Sequence, residues 1–164
     1  MGLKYKHVEA HMKAAEVYAS LSSASRLKVG AIVVKDDRII SIGYNGTPAG
    51  WSNDCEEKYY IGEEIGVQPA MYNLYDNLGS YRLVTKPEVI HAEANAIAKL
   101  ASSNESGKGA IMFVTHAPCL QCAKLIYGAG IKAVYYKETY RTEEGLEFLN
   151  KCGIHTIQAK DDYE

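Results

Sequence analysis

Thr142-Glu143-Glu144-Gly145-Leu146-Glu147-Phe148-Leu149-Asn150 stands between two short apolar segments, 132–136 and 153–158, that read as strands. The intervening stretch reads as a helix. A crossover of that length lets the flanking strands run side by side in one direction, whereas a tight hairpin would force them antiparallel. Working upstream, the alternation repeats. Residues 110–115 form a buried-type strand, and Pro118 opens a helix over 119–127 that Gly128 and Gly130 close, following the Pro-first, Gly-last asymmetry of helices. Residues 91–101 are rich in helix formers and stop at Ser102-Ser103-Asn104 and Gly107. Nearer the start, Val8, Met12, Ala15, Val17, Ala19 and Leu21 give an amphipathic pattern over 8–21. Segments 29–34 and 38–44, joined by Asp36-Asp37, read as a hairpin. The order α-β-β-α-β-α-β-α-β predicts an α/β fold of three layers, a five-stranded mixed sheet with its last two strands parallel and helices on both faces.

No internal repeat interrupts this order, so residues 1–164 are read as a single domain. Residues 51–87 carry Tyr59, Tyr60, Tyr72, Tyr75 and Tyr81 with scattered glycine and no sustained period. A stretch of that kind is expected to be an insertion near a functional site. Eighteen basic against 20 acidic residues give a net charge of −2. No basic face for a polyanion follows from that balance, but one nucleotide phosphate needs only one or two cationic groups, so polymers are disfavoured and nucleotides are not. No apolar run approaches the roughly 20 residues that cross a bilayer. The first residues lack an apolar signal core, and Lys6 breaks the acylation pattern, so a cytoplasmic location is expected. Four unevenly spaced cysteines do not read as a disulfide framework, and only Cys119 and Cys122 sit close together.

Two segments carry the chemistry. His91-Ala92-Glu93 and Pro118-Cys119-Leu120-Gln121-Cys122 each open a predicted helix. Cysteines three apart in a first turn lie about 300° around the axis, and so face one side. The free N–H groups and dipole at that end favour thiolate. At the other helix start His91 and Glu93 can aim past the axis toward one point. Two thiolates and one imidazole around Zn²⁺ leave a fourth tetrahedral position open, the arrangement of a catalytic site. Water held there is acidified to near neutrality. Glu93, unligated beside it, would shuttle protons. The alternatives are a closed, non-catalytic zinc module completed by His116, Cys55 or Cys152, and a redox role for Cys119 and Cys122, which the upstream His-x-Glu disfavours.

His91-x-Glu93 with Pro118-Cys119-x-x-Cys122 is the signature of zinc-dependent nucleobase deaminases. Lys28-Val29-Gly30-Ala31-Ile32-Val33, Gly43-Tyr44-Asn45-Gly46-Thr47-Pro48-Ala49-Gly50, His91-Ala92-Glu93-Ala94-Asn95-Ala96-Ile97 and Glu138-Thr139-Tyr140 extend the match over residues 8–158. The chain thereby resembles the deoxycytidylate (dCMP) deaminases, especially the bacteriophage type, within the cytidine/deoxycytidylate deaminase superfamily.

That resemblance implies the cytidine-deaminase-like fold and hydrolysis of dCMP to dUMP and ammonia, a supply of dUMP for dTMP synthesis. Metal-acidified water would attack C4 while Glu93 protonates N3 and then the amino group, with His91, Cys119 and Cys122 as ligands. It also implies a homohexamer activated by dCTP and inhibited by dTTP. Mg²⁺ would bridge the effector phosphates at a site around Asn45, Gly46, Gly50 and the insertion. Some phage relatives hold a second zinc through cysteines where this chain has Ala24 and Asp54, so one zinc per chain is expected. Lys99 and Ser102 stand where such relatives place residues tied to regulation.

For the substrate, Arg26 and Lys28 are candidate partners of the monophosphate. Asn45 is a candidate reader of a sugar hydroxyl, Tyr140 of sugar or phosphate, His116 is a pocket-wall residue and Trp51 a lid aromatic. Rival substrates on the same scaffold are tRNA adenosine or single-stranded nucleic acid, against which the net charge argues, and free cytidine, against which the parallel last strand argues. A host cytoplasm would be the address of a phage-encoded chain, with no membrane or nucleic-acid polymer as partner.

Overall fold

Along Gly30–Lys35 (β1) successive side chains leave opposite faces of the sheet, and this alternation assigns each helix to a side. The computed structural model describes residues 3–64, 66 and 80–160. Ile32 and Val34 meet Val8, Met12 and Ala15 of Tyr5–Ala19 (α1), together with Phe113. Ala31 and Val33 face the other way, into a larger core. That core takes Ala92, Ala96 and Leu100 from Ala92–Ala101 (α3), Ala123 and Ile126 from Leu120–Gly128 (α4), and Leu149 from Glu144–Lys151 (α5). The result is three layers: α1, the sheet, then α3, α4 and α5.

The sheet has five strands in the order β2-β1-β5-β6-β7, where β2 is Arg38–Tyr44, β5 Ile111–His116, β6 Ala133–Glu138 and β7 His155–Gln158. β1 is antiparallel to both β2 and β5, while β5, β6 and β7 run parallel. The parallel pairing of the last two strands is the one read from the 142–150 crossover.

Both late helices end in the same way. Gly130 (φ +75°) and Gly153 (φ +76°) take the left-handed conformation after α4 and α5. The Gly153 N–H donates to the Asn150 carbonyl and the Ile154 N–H to that of Leu149, the paired bonds of a glycine C-cap. This cap explains why β7 begins at His155 and not at 153. Gly128, expected to help close α4, is its last helical residue.

Within 51–87, Glu56–Tyr60 (β3) and Tyr81–Thr85 (β4) pair as a separate antiparallel sheet, followed on the first side by the short helix Ile61–Glu64 (α2). Alternation was not legible there because both faces of β3 are polar or aromatic and largely exposed. Tyr72 and Tyr75 lie outside the described residues.

Glycine sets how closely sheet and helices approach. A Cβ at Gly43 would lie 2.2 Å from the Ala92 carbonyl oxygen and 2.6 Å from the Ala96 nitrogen. Backbone cannot yield there, so Gly43→Ala is expected to lower stability by about 1–3 kcal/mol in urea denaturation, the usual penalty of overpacking. Gly128→Ala, where an added Cβ meets nothing within 4 Å, serves as the control and leaves stability unchanged or slightly raised.

Candidate active site

The direction of the strands gathers the site. β5 runs out at His116 into 117–119, and its parallel neighbour β6 runs out at Glu138 into 139–141, at the same edge of the sheet. β1, antiparallel to β5, begins at that edge, so residues 26–29 arrive there. β2 ends there at Tyr44, delivering Asn45. A bridge between Gly46 and Ile90 then places the start of α3 beside it.

His91 and Cys119 are the N-caps of α3 and α4, each in extended conformation and neither bonding its own helix through its side chain. Both side chains therefore turn outward from the helix starts. His91 Nδ1 lies 3.6 Å from Cys119 Sγ and 3.4 Å from Cys122 Sγ. The three donor atoms all lie within 4.8 Å of one another. A tetrahedral zinc with its usual Zn–S and Zn–N bonds has an S···N edge of about 3.6 Å. The donor set fits that ion.

Among the described residues no fourth His, Cys, Asp or Glu joins the three. Cys55 is buried with Ala24 and Val89, and Cys152 packs at the edge of the main core. His116 turns its Nδ1 to the Thr115 hydroxyl, 3.1 Å away.

Proton affinities follow from the contacts. Hydrogen bonds from Cys122 and then His91 hold the Cys119 thiol down at about 3. Donating that bond, together with burial, pushes the Cys122 thiol up. His91 is raised by its bond to Cys119. The two sulfurs therefore share one proton, which a metal must displace. Glu93 is 4% exposed, and burial pushes its carboxyl up to about 7. Burial lowers His116, so its imidazole is neutral at pH 7.

A cavity of about 300 Å³ opens on these groups. His91, Glu93 and Cys119 line it, with His116, Asn45, Arg26 and Tyr140 among the other residues read from the sequence. Lys28 is exposed and does not line it. Asn45 is a brace: its Oδ1 accepts from the Val29 N–H and its Nδ2 donates to the Leu27 carbonyl, both at 2.8 Å. Its amide keeps a second N–H and a second lone pair beyond these two bonds. Gly46 exchanges both backbone bonds with Ile90, so it has no spare N–H for a phosphate. Neither Gly46 nor Gly50 lines the cavity, and Trp51 stands 60% exposed outside it.

Three polar lining residues escaped the sequence reading: Arg141, Glu56 and Thr85. Arg141 directly follows the recognised Glu138-Thr139-Tyr140 and could have been included. Glu56 and Thr85 gave no signal, because nothing in the sequence pairs them with residues 25–26.

The model of the cytidine and deoxycytidylate deaminase zinc-binding region matches residues 5–138. The chain belongs to this family. Among its relatives is deoxycytidylate deaminase of enterobacteria phage T4, 34% identical over 80% of this chain and 79% of that one. ComE operon protein 2 of Bacillus subtilis is 34% identical over 92% of this chain and 70% of its own length. The crystal structure of dCMP deaminase from cyanophage S-TIM5 in complex with dCMP and dUMP superposes with a TM-score of 0.78 at 39% identity, covering 96% of this chain and 99% of that one. Family membership agrees with the fold and with a His/Cys/Cys centre.

Two measurements follow. Titrating metal-free protein with Zn²⁺ at pH 7 is expected to release about one proton or more per ion from the thiol pair, read with an indicator dye in weak buffer. A Cβ at Gly145, on α5, would lie 2.0 Å from the Pro118 carbonyl oxygen. Gly145→Ala should push the Cys119 loop aside and weaken zinc retention against a chelator, with a lower Tm.

Proposed function

We propose that this chain is a zinc-dependent hydrolase that converts dCMP and water to dUMP and ammonia. The observation that carries the reading is a buried carboxyl, Glu93, beside a three-donor centre with no fourth protein ligand among the described residues. The phage relatives and the dCMP-bound structure support the choice of substrate.

His91, Cys119 and Cys122 would hold the metal. Bound Zn²⁺ would lower the pKa of a water so that it attacks at neutral pH. The rest falls to the chain. Glu93 accepts the proton released in the attack on C4 and delivers it to N3. It then carries the second proton to the exocyclic amino group, which leaves as ammonia, and Glu93 ends as it began. Its buried setting suits this work, since burial raises the carboxyl's affinity for a proton above that of an exposed carboxylate. Neutral His116 forms wall beside the ring. Arg26 and Arg141 supply positive charge for the 5′-phosphate, and Tyr140 a hydroxyl for phosphate or sugar. A volume of about 300 Å³ is at the lower end for small-ligand sites and suits one nucleotide.

The finer reading is a homohexamer switched on by dCTP and off by dTTP with Mg²⁺, feeding dTMP synthesis. Its support is the match over residues 43–50. The paired backbone of Gly46 means that any effector phosphate would have to use other groups of that loop. Ammonia release with and without added dCTP or dTTP tests it.

Glu93→Gln keeps the shape and removes the proton carrier. Its kcat on dCMP is expected to fall by about 10³-fold or more, with one zinc per chain retained by elemental analysis. Full turnover in that variant would overturn the mechanism.

A further inference from the structure

The β3–β4 hairpin touches the cavity through two residues that face one another across its ladder, Glu56 and Thr85. Both reach the same target. Glu56 Oε1 accepts from the backbone N–H groups of Ser25 and Arg26, each at 3.0 Å. The Thr85 hydroxyl accepts from an Arg26 guanidinium nitrogen at 3.2 Å. One end of the arginine is thus fixed at its main chain and the other at its head.

A long side chain at the mouth of a cavity would otherwise spread over many rotamers, and ordering it on substrate binding would cost affinity. The Thr85 contact removes part of that rotamer freedom beforehand, and the Glu56 contacts fix the main chain from which the side chain springs, both from one small sheet. Asn45 braces the following residues, bonding Val29 and Leu27. Segment 25–29 is therefore held from both sides.

We propose that Glu56 and Thr85 are positioning residues that aim Arg26 at the substrate's 5′-phosphate, and so set the preference for the nucleotide over the nucleoside. This rests on the dCMP reading above. Because Glu56 holds main chain through its carboxylate while Thr85 holds the guanidinium, the first sets where Arg26 stands and the second where its head points.

The test is steady-state kinetics of the zinc-loaded enzyme on dCMP and on deoxycytidine, which lacks the phosphate. Thr85→Val and Glu56→Ala are each expected to raise KM for dCMP about five- to tenfold, with a much smaller change in kcat. The ratio of kcat/KM for dCMP over deoxycytidine falls accordingly. Thr85→Ser, which keeps the hydroxyl, restores the ratio, as does Glu56→Gln, which keeps an acceptor oxygen. In an Arg26→Ala background neither substitution lowers the ratio further. The inference is overturned if Thr85→Val and Glu56→Ala keep the wild-type ratio while Arg26→Ala loses it, or if they lower turnover of both substrates equally. Wild-type enzyme that shows no preference for dCMP would instead sink the functional reading, and the role assigned to the hairpin with it. Circular dichroism of each variant separates these outcomes from misfolding.

Discussion

Two helix starts have to be held a few ångströms apart, each offering soft or borderline donors to the same point, and most of the architecture serves that demand. His91 stands before α3, Cys119 before α4, and the Nδ1–Sγ separations of 3.4 and 3.6 Å are those of a tetrahedral edge. The shared proton on the two sulfurs shows the tension in the arrangement. One thiol is held far below its ordinary range by bonds from Cys122 and His91, while the other, giving its proton to that bond, is held above. A dication resolves this by replacing a proton with a stronger acid, so metal and fold stabilise each other.

The approach of the supporting layers is as tight as backbone permits. Gly43 lets β2 lie against α3, Gly30 lets β1 lie against α1, and Gly145 lets α5 lie against Pro118 and Cys119. In each case the nearest atoms to an added methyl are main chain, which cannot rotate away. Side chains elsewhere in the core can adjust, but these three contacts fix the distances between layers. The loop that carries the sulfurs inherits its position from α5, an element that contributes no side chain to the cavity.

Cation and carboxylate around the cavity work at different depths. Glu93 is buried, and that burial is the main cause of its raised affinity for a proton. Arg26 and Arg141 stay exposed where they line the cavity, so a charged ligand bound there would meet them without prior desolvation. On the proposed function, the separation would place proton transfer in a low-dielectric pocket and anion recognition in water, each where its energetics are favourable.

Local chemistry was legible from the sequence. The candidate donors, their spacing at two helix starts and the parallel last strands could all be read, because each rests on the composition and spacing of a helix start or of neighbouring segments. Arg141 was within reach of the same reading. What tertiary structure alone decided is who meets whom. β1 pairs with β5, so Ala31 faces Val114 across a gap of more than half the chain. Nothing in the local pattern of a strand names its partner. Asn45 has donor and acceptor groups on any reading, but only the fold shows both bonded to residues 27 and 29. Glu56 and Thr85 look like ordinary polar residues of an irregular segment until β3 and β4 pair and bring them to Arg26. Short-range geometry fixes which groups a segment can present. Strand direction and register, set by burial over long separations, fix which of them share a cavity.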